Sequence, residues 1–330
     1  MGYIVYERAH HASLQQCEQR TTVGLSMIGD ASLKPLKKPL SYQEQIAHLQ
    51  SSHGLHISDP AQAERILSRV NYYRLSAYGI GLYNVDGETF RDDVSLDTLH
   101  DLYEFDAILR NTLFSAIEEI EISLRTKIAY HVGMKYGPEG HMDSQCFEPR
   151  QNKRGEFIYD KFKSNVQREI LHQGQTPIVK HHEHAYGGHY PIWVAVELFS
   201  FGTLSMFFSV MKPEDKKAIA EQFRVHFSFL ESWIISLVEI RNLCAHYCRL
   251  YNRPLTKSPK LFTEHKRFHS DRIFPSVFML GYLLENKNKW RVLVEDLVNL
   301  IGAYPDVKLT FIGFPDDWID LLRAHPRRNG

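Results

Sequence analysis

One long helical period constrains the fold of this chain more than any other feature of the sequence. From residue 95 to about residue 136, apolar residues recur at spacings of three or four: Leu99, Leu102, Leu109, Leu113, Ile117, Ile120, Leu124 and Ile128. This spacing puts them on one face of an α-helix, which we expect to end at Gly137-Pro138. Since such a helix needs other helices to cover it and no alternating run demands a sheet, the sequence predicts an all-α, mainly helical bundle.

Capping and turn signals divide the rest of the chain. Ser41 and Glu44 form a capping box, and Asp59-Pro60 starts a second helix. Further helices are predicted over residues 156–171, 213–223, 227 to about 251, 275–284 and 290–304. We therefore expect a poorly specified extension (1–33), an N-terminal helical region (34–94), a helical domain (95–305) with minor β or irregular insertions, mainly near 138–190, and a C-terminal tail packed on it (306–330).

Residues 191–210 are apolar enough to resemble a membrane span, but their pattern favours buried helices. Glu197 lies near the middle, and Ser200 and Gly202 interrupt the run. A central carboxylate costs a few kcal/mol in a bilayer. We expect two helical pieces hinged near Phe201-Gly202, with Glu197 facing a polar interior or site, and no membrane partner.

Charge and cysteine usage narrow the class of protein. Lys+Arg 39 balance Asp+Glu 39 over 330 residues, so the formal net charge is +0. A neutral chain that binds nucleic acid must do so through a local basic cleft.

The four cysteines, of which Cys244 and Cys248 are the closest pair, have no CxxC spacing. They are typical of reduced thiols, and with no secretory signal pattern at the N-terminus they predict a cytoplasmic protein.

The segment 239–253 carries the residues with chemical potential. On the helix predicted here, a polar stripe covers roughly one third of the circumference, formed by Glu239, Asn242, His246, Arg249 and Arg253. Imidazole exchanges protons near neutral pH, and arginine binds phosphoryl oxygens in a bidentate way. We expect Glu239 to hold the ring of His246 for acid and base chemistry at a phosphate, although such a stripe is also typical of a solvated helix face.

Arg241 stands apart from this stripe. It precedes His246 by five residues, which is about 140° around an ideal helix, so the two side chains do not converge on one regular helix. Either the helix is distorted or Arg241 reaches a shared cleft. A shared cleft indicates two copies of the segment meeting across a two-fold axis.

The residues Arg241-Asn242-Leu-Cys-Ala-His246 resemble the Arg-polar-x-x-x-His signature of HEPN domains, an all-helical fold found in defence and toxin ribonucleases. From about residue 34 to residue 322 the chain also resembles the Abi family of bacterial abortive-infection proteins, of the AbiD/AbiF type. Eight blocks carry that resemblance in family order, at residues 38–46, 70–76, 103–110, 117–125, 190–193, 198–205, 240–253 and 313–318.

The resemblance implies a HEPN-like helical bundle and a metal-independent endoribonuclease that needs no cofactor. Arg241 and His246 of a homodimer would be catalytic, and the ribose 2′-hydroxyl would attack the phosphorus to leave a 2′,3′-cyclic phosphate. Supporting residues would be Asn242, Glu239, Glu121 and Arg125. The family links this activity to phage defence through growth arrest, with a small noncoding RNA as antitoxin.

Other residues predict contacts with RNA, and some features favour a different function. Arg249 and Arg253, with Tyr72 and Arg74, have the mix of arginine and aromatic rings that suits RNA. A non-catalytic RNA-binding or scaffold protein of the same fold remains the main alternative. The histidines between residues 181 and 189 have the composition of a metal hydrolase site in a loop, but they lack HExxH spacing, so no metal is predicted.

Overall fold

The computed structural model describes residues 36–325, and this part of the chain is all-α, as predicted. It contains four isolated β-bridges but no strand. Its α-helices, in chain order, are α1 (Tyr42–His53), α2 (Pro60–Arg69), α3 (Tyr72–Ser76), α4 (Leu96–Tyr136), α5 (Ile158–His172), α6 (Pro177–Tyr186), α7 (Ile192–Leu198), α8 (Phe201–Val210), α9 (Pro213–Gln222), α10 (Phe227–Ala245), α11 (Phe274–Leu283), α12 (Lys287–Ala303), α13 (Leu309–Ile312) and α14 (Trp318–Arg323). The predicted extension over residues 1–33 lies outside the described residues.

The chain divides into two units, residues 1–104 and 105–330, and the division falls within α4. In the first unit α1 packs on α2. The predicted capping box is present at the start of α1, where the Ser41 hydroxyl accepts from the Glu44 N–H. Asp59 caps α2, and Pro60 occupies its first turn. These helices start where the sequence predicts because the caps satisfy backbone N–H groups that have no partner within a helix.

Helix α4 is the 41-residue helix that the apolar period predicts. Its second-unit part supplies Leu113 and Ile117 to a core that also contains Leu237 and Ile240 of α10 and residues of α11. Leu109, Leu124 and Ile128, further along the same face, are fully buried. The apolar period thus fixes which face of α4 receives α10, the helix that carries Arg241.

The apolar run at residues 191–210 forms two helices, as expected. Phe199 and Ser200 separate α7 from α8, and the Ser200 hydroxyl caps α8 by accepting from the Thr203 N–H. The break falls just before the predicted hinge because Ser200 is the better N-cap. Within residues 36–325 no helix is both long enough and apolar enough to cross a bilayer.

The region 138–190, predicted to be largely irregular, contains two helices. Helix α5 matches the expected stretch, whereas α6 was not predicted, although Pro177 in its first turn and Gly187 at its end are ordinary helix signals. Helix α5 packs against α7 and α8. The insertion is therefore part of the second unit's helical packing and supplies one wall of the site described next.

At the C-terminal end, α14 packs on α12. The indole N–H of Trp290 donates to the carbonyl of Leu322 at 3.1 Å, and Trp318 and Leu322 are buried.

Candidate functional site

Helix α10 ends at Ala245, six residues before the predicted end, and His246 is its C-cap. The N–H of Cys248 donates to the Leu243 carbonyl and the N–H of Tyr247 to the Cys244 carbonyl, which together make a Schellman motif. Tyr247 occupies the left-handed position of that motif, with φ 56°. Glycine is the usual residue at this position, so a sequence without it gave no signal that the helix stops here.

The prediction that one polar stripe runs along a single helix is therefore wrong for its last two residues. Arg249 and Arg253 follow the end of α10, in a segment without helix, and both are half-buried. The backbone between them is held by Asp106, whose carboxylate accepts from the N–H groups of Leu250 and Tyr251. The two arginines predicted to bind RNA therefore lie in a loop.

Arg241 lines a cavity of about 470 Å³ in the second unit. Its side chain is 31 % exposed, and its contacts with protein are long: Nε lies 3.5 Å from Glu121 Oε2, and Nη1 lies 3.5 Å from the Asn242 side-chain oxygen. Nε is buried and makes no hydrogen bond. The guanidinium is thus positioned at a cavity without being saturated by protein acceptors. Asn242 itself is exposed beside it.

Arg125 also lines this cavity, and Glu121 joins it to Arg241. Arg125 donates to the carboxylate of Glu121 and to the carbonyl of Val196, and both charged side chains are nearly buried. Glu121 is therefore fixed by Arg125 and faces Arg241 with its second oxygen. The structure places these two predicted supporting residues beside Arg241. Arg125 and His131 also have an Arg-x5-His spacing, but the ring of His131 makes a 2.7 Å hydrogen bond with Asp215.

His246 is exposed at the tip of α10 and is not among the residues that line the cavity. The expectation that Glu239 holds its ring is wrong. The two oxygens of Glu239 accept from the backbone N–H groups of Thr256 and Lys257, at 2.9 and 2.8 Å. Glu239 therefore anchors the following loop.

Burial raises the pKa of Cys244 to about 12, so this thiol stays protonated and is no nucleophile.

The predicted aromatic contacts to RNA lie in the other unit. Tyr72 and Arg74 belong to α3, where Arg74 is exposed and the ring of Tyr72 is half-buried. Burial raises the pKa of the Tyr72 hydroxyl.

The histidines predicted to lie in a loop are mostly on α6. His182 is buried, stacks on Tyr186 and Tyr190, and makes a 2.9 Å hydrogen bond to the Ile178 carbonyl. His189 binds Glu139. Among residues 36–325, no three His, Cys, Asp or Glu side chains come together as metal ligands would.

Further polar side chains line the cavity with Arg241, and the sequence predicted only Glu197 among them, as a residue facing a polar interior or site. Arg168 and His172 come from α5, and Glu197, expected to face some polar site, comes from α7. Arg168 and His172 are four residues apart, so they lie on the same face of a helix. That spacing at the end of a predicted helix was the available signal, although nothing in it indicates that the face meets Arg241.

The fold and this site define an all-helical protein with an arginine and a histidine at the end of one central helix. The family model described as Abi-like protein matches residues 65–252, and the chain belongs to that family. Membership suggests a role in abortive infection, the bacterial defence against phage. No curated protein and no solved structure gives a significant match to the chain.

Proposed function

We propose that this protein is a metal-independent endoribonuclease of the HEPN type, which cuts RNA in the cytoplasm during abortive infection. The observation that supports this most is the state of Arg241. Its guanidinium lines a cavity, and its polar contacts with protein are two long ones of 3.5 Å, while an exposed histidine ends the same helix five residues later. A phosphate needs this kind of unsaturated guanidinium, because the donors must be available to the ligand.

The proposed reaction uses only these two kinds of side chain. The imidazole of His246 takes the proton of the ribose 2′-hydroxyl, and the oxygen attacks the neighbouring phosphorus. The bond from phosphorus to the 5′-oxygen breaks, and that oxygen receives a proton from an imidazolium. The products are a 2′,3′-cyclic phosphate and a 5′-hydroxyl. Arg241 binds the phosphoryl oxygens and stabilises the charge that they gain in the transition state.

A second copy of the chain would complete the site. Helix α10 is regular up to Ala245, so Arg241 and His246 diverge by about 140° around it. A two-fold axis beside the tip of α10 would bring the histidine of one protomer to the arginine of the other. The homodimer is therefore part of the proposal.

The test compares the wild-type chain with Arg241→Ala and His246→Ala on RNA, with EDTA present and the RNA ends sequenced. We expect cleavage with cyclic phosphate ends by wild type and none by either variant. His269→Ala removes another exposed histidine and should cut like wild type. Arg241→Lys, which keeps the charge without the planar fork, should cut much more slowly. Since Arg241 is paired with Glu121, thermal melting must show that the variants are folded.

Equal RNA integrity with wild type and both variants would refute the nuclease proposal. Retention of RNA that depends on Arg241 but yields no new ends would indicate the alternative, a non-catalytic RNA-binding or scaffold protein. Loss of cleavage in EDTA would indicate metal chemistry. We also propose that a small noncoding RNA restrains the enzyme, and sequencing of RNA that copurifies with His246→Ala tests this: a single abundant species is expected, and random fragments would count against it.

A further inference from the structure

The cavity beside Arg241 is larger and more varied than a site for a bare phosphate. Its volume of about 470 Å³ falls within the range of about 300–1,000 Å³ that is usual for small-molecule pockets. Side chains of both signs line it: Arg125, Arg168, Arg241, Glu169 and Glu197. A simple anion gains nothing from the two carboxylates. A ligand that matches both signs carries an anionic part and a part that donates hydrogen bonds.

Several of the lining groups are already committed to the protein. Arg125 is held by Glu121 and Val196. Glu169 accepts from the Ser200 N–H at 3.1 Å and from the Thr203 hydroxyl at 2.8 Å. The side-chain amide of Gln173 donates to the Leu198 carbonyl. These hydrogen bonds connect α5, α7 and α8. The walls of the cavity are therefore formed before a ligand binds.

Other lining groups remain available. His172 and Glu197 are exposed, and neither makes a side-chain hydrogen bond or an ion pair with any residue between 36 and 325. Arg168 is exposed and donates one bond, to Asn165. The cavity therefore offers cationic donors from α5 and α10 and one unoccupied carboxylate acceptor from α7.

A nucleotide has both parts that this lining requires, and the carboxylate distinguishes between bases. Guanine presents two adjacent N–H donors, at N1 and N2, which match the two oxygens of a carboxylate. Adenine and cytosine present an amino group next to an acceptor nitrogen, which a carboxylate repels, and the single N–H of uracil lies between two carbonyl oxygens. Unpaired bases in RNA are commonly read along this edge.

We propose that this cavity binds one guanine nucleotide of the RNA, with Arg168 and Arg241 on phosphate and Glu197 on the guanine edge. The proposal deepens the proposed nuclease function, on which it rests for the placement of Arg241 at the scissile phosphate. In that setting Arg168 and Glu197 determine where RNA is cut, and the preferred sites have guanine next to the cleaved bond. Neither residue takes part in the proton transfers.

Binding can be measured without catalysis. The probes are the four nucleoside 3′,5′-bisphosphates, titrated by calorimetry into the full chain. We expect the guanosine compound to bind the wild type most tightly. Arg168→Ala should weaken all four by about tenfold, because it removes a charge-assisted contact to phosphate. Glu197→Gln should abolish the preference for guanosine, since the amide no longer offers two acceptors. Arg154→Ala and Glu264→Gln change the same charges at exposed positions outside the lining and should bind like wild type.

The outcomes separate this proposal from the nuclease proposal. RNA cleavage by wild type together with equal binding of the four compounds, or with a guanosine preference that survives Glu197→Gln, would overturn the guanine pocket alone. Guanosine-selective binding that depends on both residues, without any cleavage, would leave the pocket standing and overturn the nuclease. Absence of binding by all four at millimolar concentration would also overturn the pocket.

Discussion

At the scale of single residues, Tyr247 is the most strained position of the candidate site. A bulky residue rarely adopts positive φ, and the cost is of order 1–2 kcal/mol. Here the Schellman motif forces it, with φ 56°, next to the exposed His246. The strain is retained at the helix end that positions the proposed catalytic histidine, where the surrounding hydrogen bonds determine the backbone.

Replacing Tyr247 with glycine should therefore raise the free energy of unfolding by about 0.5–1 kcal/mol, because glycine adopts the left-handed conformation without steric cost. Urea unfolding at neutral pH measures the change. Tyr247→Ala is the matched control, since it removes the ring but keeps the backbone strain. If alanine stabilises as much as glycine, the ring of Tyr247 and not its backbone conformation carries the cost.

A second residue, His141, makes the stability depend on pH. Its ring is buried, and burial lowers its pKa from the ordinary 6.5 to about 4, against a smaller raising effect of Glu139. Between these two values the unfolded chain binds more protons than the folded one. The free energy of unfolding should therefore fall by about 3 kcal/mol from this group as the pH is lowered from 6.5 to 4.

His141→Phe removes the titrating group and keeps a ring of similar shape. The difference in unfolding free energy between variant and wild type should grow as the pH falls from 7 to 4.5, as urea unfolding at both values would show. A difference that stays constant over this interval would mean that the buried ring does not resist protonation.

At the scale of secondary-structure elements, Asp106 joins α4 to the loop after α10. Its fully buried carboxylate binds Arg110 one turn further along α4 and accepts from the Leu250 and Tyr251 N–H groups. The Asp106 carboxylate thus fixes the loop that carries Arg249 and Arg253 to the long helix, and Arg110 balances its negative charge.

Asp106→Asn should cost about 3–5 kcal/mol of unfolding free energy, because it leaves the buried guanidinium of Arg110 without a counter-charge. The double variant Asp106→Asn with Arg110→Met should recover much of this loss, since no unpaired charge remains and the asparagine oxygen still accepts from the loop. Asp160→Asn, at an exposed position, serves as control. A double variant less stable than Asp106→Asn alone would show that the attraction between the two charges determines stability, and not the cost of leaving one buried charge unpaired.

The same elements show how far the sequence predicts this protein. The period of α4 and the cap at Ser200 are local signals, so the helices that they start or sustain were predicted nearly in place. The end of α10 depends on a tyrosine in a glycine conformation, which local rules do not indicate. The cavity depends on α5 meeting α7 and α10, a long-range arrangement for which one sequence contains no signal. Arg241 and a polar setting for Glu197 could be predicted, but not Arg168 or the meeting of the three in one cavity.

At the scale of the whole molecule, the balance of charge limits how RNA can bind. With 39 basic and 39 acidic residues the chain has no general attraction for nucleic acid. The proposed binding must therefore come from local groups whose donors are not saturated by protein, and in the second unit Arg168 and Arg241 at the cavity have this character. In the proposed homodimer, a second protomer that contacts the same RNA strand would therefore add to affinity as well as to catalysis.

The composite site itself can be tested by mixing inactive protomers. If each site uses Arg241 of one protomer and His246 of its partner, a dimer of Arg241→Ala with His246→Ala contains one intact site and one that lacks both groups. Random exchange makes about half of the dimers mixed, so the mixture should regain about a quarter of the wild-type cleavage rate, whereas each variant alone stays inactive. Native mass spectrometry confirms that mixed dimers have formed. Mixed dimers without cleavage would show that the two groups do not act across the axis, and a chain that sediments only as a monomer at micromolar concentration would exclude the shared site altogether.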